Sequence, residues 1–148
     1  MREPLTSARR LVIGIGNPLR GDDGVGGLLA EQVGGRSVQQ LTPELAAELA
    51  ELEAVLFIDA WLAPAGAGPE LIAIAPTNGA TGSSAESHRL EPAQLLAISQ
   101  ALYGRAPTVH LLRVPATAFG HGTALSPELQ AALPAARDLL RQWLGGHA

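Results

Sequence analysis

The 148-residue chain contains no cysteine and no lysine. Without cysteine there is no disulfide to support the fold, no thiolate nucleophile and no zinc site of the Cys type. Without lysine there is no Schiff-base chemistry and no lysine to grip a phosphate, because all ten basic residues are arginine. Charge is sparse, at 16% of residues, and sums to −4, which gives the chain no electrostatic reason to seek nucleic acid or an anionic membrane. Long apolar runs are missing as well, and no stretch approaches the length needed to span a bilayer. The polar start "MREPLTSARR" leads into a short strand instead of a signal-peptide core, so the expected address is the cytoplasm. What the chain does have is 47% hydrophobic residues. That suffices for a single domain over residues 1–148, burying about two-thirds of the surface that the unfolded chain exposes.

Short apolar runs alternate with helical patterns, which is the signature of a sheet covered by helices. The expected fold class is α/β: a three-layer α/β/α sandwich around a twisted, mostly parallel sheet of about five strands. Strands are predicted over Leu11–Ile15, Ser37–Leu41, Ala54–Ile58, Glu70–Ala75 and Thr108–Val114. The short link before Glu70 favours antiparallel pairing of that strand with its predecessor. A first helix starts near Gly24 with Val25, Leu28, Leu29 and Val33 inward, and a second follows the N-cap pattern Thr42-Pro43-Glu44 and buries Leu45, Leu49 and Leu52. A third runs from Pro92 to Gly104 with Leu95, Leu96, Ser99 and Leu102 on one face. The last is capped by Ser126-Pro127-Glu128 and carries Leu129, Leu133, Ala136, Leu140 and Trp143, with Pro134 as a point for a kink.

The chemistry concentrates in "GNPLRGDDGVG", Gly16 to Gly26, directly after the first apolar run. A dinucleotide fingerprint needs GxGxxG, and here Gly14 and Gly16 are not followed by the third glycine. Gly16 and Gly21 keep the Walker A glycine spacing, but Asp22-Asp23 stands where the lysine and hydroxyl belong. Two negative charges within about 5 Å of a phosphate cost on the order of several kcal/mol. The loop therefore suits a cation. The plainer reading makes Asp22 and Asp23 turn and helix-cap residues, and both hold if one caps while its neighbour faces the cleft. Asp59 follows the most apolar strand, where a carboxylate is costly unless paired or coordinating, although it also suits a loop cap. His88 lies in a loop, His110 in or beside the last strand, His121 in a glycine-flanked loop and His147 in the tail. Mixed nitrogen and oxygen donors without thiolate suit nickel, zinc, iron or manganese.

Four stretches, "LVIGIGNPLRGDDGVG" (11–26), "LFIDA" (56–60), "SHRLEPAQLL" (87–96) and "FGHGTALSPELQAALPAA" (119–136), together resemble the hydrogenase maturation proteases over nearly the whole chain. The resemblance implies an α/β sandwich and an endopeptidase that removes the C-terminal extension of a nickel-iron hydrogenase large-subunit precursor after nickel insertion. It further implies that Asp23, Asp59 and His88 contact the metal. The nickel is then supplied by the substrate, the chain holds no tightly bound cofactor of its own, and other divalent ions can occupy the site. With no serine triad, no GxSxG elbow and no Thr-Gly after Asp59, hydrolysis is expected to use a metal-bound or carboxylate-activated water, with Asp22 or Asp23 as a candidate general base. The implied partner is that precursor, with neither nucleic acid nor membrane, and a monomer is expected. One departure stands out: where many members carry Gly-Gly-Thr, this chain reads "VQQLTPELA", with Thr42 at the threonine position. The competing expectations are a non-proteolytic metal-binding accessory protein or chaperone on the same scaffold and, more distantly, a nucleotide-binding Rossmann relative.

Overall fold

The computed structural model describes residues 9–76, 89–117 and 122–146. Five strands, β1 (Arg10–Ile15), β2 (Arg36–Val38), β3 (Ala54–Leu62), β4 (Glu70–Ile74) and β5 (Thr108–Ala116), form one sheet in the order β2-β1-β3-β5-β4. β1 is parallel to β2 and β3, β3 is parallel to β5, and only β4 runs antiparallel. The helices are α1 (Val25–Gln32), α2 (Leu45–Leu49), α3 (Pro92–Tyr103) and α4 (Pro127–Gly146).

The central strand is the most apolar one for a geometric reason. β3 has a neighbour on both edges and helices over both faces, so every residue from Ala54 to Ile58 is buried. Alternation along it separates two cores. Leu56 and Ile58 pack with α1 and α4 through Val25, Leu29, Leu129, Ala136, Leu140 and Trp143. Val55 and Phe57 face α2 and α3 through Leu49, Leu95 and Leu96. This is the expected three-layer sandwich.

Several details differ from the sequence expectation. β4 pairs with β5 instead of its predecessor, because β1 and β5 already occupy both edges of β3 and the edge of β5 is the one left open. β3 continues past Asp59 to Leu62 by pairing with β5 alone, so Asp59 lies inside the strand. β2 starts at Arg36 and stops at Val38, and Gln39 to Leu41 belong to the connection. Leu28 and Leu102 are 39% and 69% exposed instead of facing inward: Leu28 borders a groove beside the first loop, and Leu102 sits in the last turn of α3. No side chain caps α2; backbone bonds from Leu45 and Ala46 N–H to the carbonyls of Thr42 and Pro43 start it instead. α4 is helical straight through Pro134. Among the described residues, no helix is long and apolar enough to cross a membrane.

Candidate functional site

The loop after β1 is shaped by glycine at one end and by a carboxylate at the other. Gly16 takes φ 137°, and a Cβ there would lie 2.0 Å from the carbonyl oxygen of Asp23. Asn17 then makes an Asx turn, its Oδ1 accepting from Leu19 N–H at 2.9 Å, while its carbonyl accepts from Arg20 N–H at 3.0 Å. Asp23 closes the loop: its N–H donates to Arg20 O at 3.1 Å and its Oδ2 accepts from Asn17 N–H at 2.8 Å. The Asp23 carboxylate is thus held in place by backbone and remains partly open.

Asp22 points elsewhere. It is fully buried, with Oδ1 accepting from Ser126 N–H at 2.6 Å and Oδ2 accepting from Ser126 Oγ at 2.7 Å and Thr117 N–H at 2.9 Å. Ser126 in turn caps α4 by accepting from Leu129 N–H at 3.1 Å. Asp22 therefore ties the first loop to the start of α4, where a negative charge meets the positive end of the helix dipole. With both oxygens engaged away from the cleft, it has no geometry for general-base work. Neither the 3-10 turn Gly21–Gly24 nor α1 receives a side-chain cap, so the expected local capping by Asp22 or Asp23 is absent.

Asp59 emerges where the β1–β3 ladder ends. The last pair is Gly14 with Ile58, so at the next residue β3 loses its β1 neighbour and faces the loop that carries Asp23. By strand alternation its side chain shares the face of Phe57, toward α3. Its Oδ1 accepts from Ala60 N–H at 2.9 Å, and its Oδ2 from Arg89 Nη2 at 3.3 Å, just ahead of α3. Burial pushes the Asp59 pKa up from 3.8 to about 6; the Arg89 charge and the Ala60 N–H pull it back, while the nearby Asp23 charge pushes it further up. Two carboxylates thus repel across a partly desolvated cleft, an arrangement that a cation relieves.

The cleft beside Asp23 encloses about 300 Å³ between Asn17, Arg20, Gln39, Gln40 and Arg89. A second lobe of about 440 Å³ continues from it, sharing Gln40 and Arg89 and reaching Thr42, Pro43 and Gln94. A separate, more apolar groove of about 250 Å³ lies near Pro18, Leu28 and Leu125.

The structure therefore brings Asp23 and Asp59 together and turns Asp22 away. His88 falls outside the described residues, as do His121 and His147. Among the described residues, no three histidine, cysteine, aspartate or glutamate side chains converge as a metal site. His110 pairs with Leu56 and Ala73 in the sheet and lies on the face opposite Asp59, in keeping with a structural role. Sequence reasoning passed over Arg89 and Gln40, which line both lobes; the one signal for Arg89 was its place directly after His88.

The fold is similar to that of several solved hydrogenase maturation proteases. The hydrogenase maturating endopeptidase HybD from E. coli superposes with a TM-score of 0.70 at 19% identity, covering 89% of each chain. The NiFe hydrogenase maturation protease HycI from Thermococcus kodakarensis gives 0.64 at 22% identity over 93% of each chain. The hydrogenase 2 maturation peptidase of a Thaumarchaeota archaeon gives 0.64 at 24% identity, covering 93% of this chain and 98% of the other. No family model and no curated protein matches the chain. The resemblance carried by the sequence motifs recurs in the structural neighbours, which at these identities establish the fold.

Proposed function

We propose that this chain is an endopeptidase that removes the C-terminal extension of a nickel-iron hydrogenase large-subunit precursor once nickel is in place. The observation that carries this reading is the convergence of Asp23 and the partly desolvated Asp59 at one end of the sheet, joined through Arg89 to a two-lobed cleft that Asp23 and Arg89 line. Support comes also from the structural neighbours, which are hydrogenase maturation proteases. In this reading the nickel is part of the substrate and is met by Asp23, Asp59 and His88. The working form is a cytoplasmic monomer with no resident cofactor.

The chemistry follows from what the site offers. A substrate-borne nickel polarises the scissile carbonyl or acidifies a water, and a carboxylate takes the proton of the attacking water. Asp23, held by Asn17 N–H, positions the cation.

The deciding experiment incubates the protein with purified nickel-loaded precursor and weighs the products. An endopeptidase yields a shortened large subunit and a free tail, whereas an accessory protein or chaperone leaves the large-subunit mass unchanged. Asp23→Ala, Asp59→Ala and His88→Ala are expected to abolish cleavage with the fold intact, and His110→Ala to leave it largely unaffected. Wild-type rates in the first three variants would remove the site assignment.

A further inference from the structure

We propose that Arg89 makes the cleft selective for a metal carried in a polypeptide over a free metal ion, a role that rests on the reading of Asp23 and Asp59 as the cation's ligands. Arg89 occupies the position of a built-in counter-charge. Its Nη2 donates to Asp59 Oδ2 at 3.3 Å, and it stands on the boundary between the two lobes of the cleft.

The contact is loose by the standard of the other arginine–carboxylate pairs in the molecule. Arg36 grips Glu48 with two bonds of 2.6 Å, and Arg113 holds Glu70 with bonds of 2.7 and 3.0 Å while stacking 3.7 Å from the Trp61 ring centroid. Among the described residues Arg89 makes a single, longer contact with Asp59, and its side chain is 48% exposed. A pair of this kind adds little stability, so a divalent cation can displace it. A cation between Asp23 and Asp59 competes with Arg89 for the Asp59 carboxylate, and the two positive groups repel.

The fate of the displaced guanidinium then separates the two kinds of cation. A free ion brings nothing for Arg89 to bind, so the lost pair and the repulsion count in full against it. A metal embedded in a polypeptide arrives with backbone carbonyls and carboxylates, and the five donors of the guanidinium can take these in either lobe. Gln40, lining both lobes, offers further amide contacts to an extended chain. Arg89 is in this sense a specificity residue and not a catalytic one.

The test is calorimetric titration of nickel chloride into wild type, Arg89→Ala and, as a control for net charge, Arg105→Ala. Loss of Arg89 is expected to tighten nickel binding about tenfold or more, with Arg105→Ala close to wild type. On nickel-loaded precursor, Arg89→Ala is expected to raise KM several-fold with little change in kcat. Unchanged or weaker nickel binding in Arg89→Ala overturns the proposal, as does an equal gain in Arg105→Ala. Cleavage of the precursor by wild type in parallel keeps the two readings separate: cleavage with unchanged nickel affinity in the variant removes the Arg89 role alone. Tighter nickel binding without any cleavage supports the Arg89 role and removes the peptidase reading.

Discussion

Asp22 and Asp23 are adjacent in the chain yet sit in opposite environments, and their variants should fail for opposite reasons. Asp22 accepts three hydrogen bonds in a buried pocket, so truncation leaves the donors of Ser126 and Thr117 without their acceptor. Asp22→Ala should cost on the order of 3 kcal/mol of stability in urea unfolding. Asp23→Ala removes one backbone contact at a partly open position and should cost about 1 kcal/mol, while abolishing processing. Asp59 makes a different prediction through its raised pKa. A carboxyl that binds its proton more tightly folded than unfolded contributes stability below the unfolded value near 3.8 and loses it as pH rises through about 6. Roughly two pH units correspond to about 3 kcal/mol at most. Asp59→Asn should therefore match wild type below pH 4 and be more stable by about 1–3 kcal/mol above pH 6, although inactive. The same proton competes with a cation, so wild-type kcat/KM should climb through an acid limb near pH 6. A limb near pH 4 would assign the titration to a different group.

At the level of elements, the glycines around the loop serve packing more than phosphate. A Cβ on Gly26 would lie 2.3 Å from Ile58 O and 2.7 Å from Ile15 O, so α1 rests directly on the backbones of β1 and β3. That close approach is what sets the loop, and with it Asp23, beside the end of the β1–β3 ladder. Gly26→Ala puts two effects in competition. Alanine favours the helix by about 1 kcal/mol, but overpacking against backbone that cannot step aside costs about 1–3 kcal/mol or more. Overpacking should win, lowering Tm by several degrees at roughly 3 °C per kcal/mol and reducing processing as the loop shifts. A rise in Tm would show that α1 can lift off the sheet freely. These glycines were visible in the sequence as a tight-turn signal, but which of them met backbone depended on the parallel neighbour of β1. Ser126 was legible as the cap of α4, because Ser-Pro-Glu before an apolar periodicity is a local signal. The anchoring of that cap by Asp22, 104 residues away in the chain, has no local signal.

The whole molecule explains why two carboxylates 36 positions apart share a cleft. The chain runs from β1 through α1 to β2 on one side, then returns through α2 to β3 on the other, so the crevice between β1 and β3 is the switch point of the sheet, where such folds bind ligands. The alternation of buried strands and helices made this placement readable from sequence, since Leu11–Ile15 and Ala54–Ile58 could only be interior strands. The partner of β4 was not readable, because the choice depends on which edge stays open after β1 and β5 flank β3. Arg89 was not readable either, since an arginine before a helix has many possible partners and only the folded sheet places Asp59 within 3.3 Å. A cleft at the switch point that rewards a cation should act as a checkpoint on the state of its partner. If the metal adds a differential contact of about 3 kcal/mol, processing of nickel-loaded precursor should exceed that of metal-free precursor about a hundredfold in kcat/KM. Parallel time courses followed by mass spectrometry measure that ratio. Equal rates for the two precursors would mean that Asp23 and Asp59 act on the peptide without reading the metal, and the checkpoint would have to lie elsewhere.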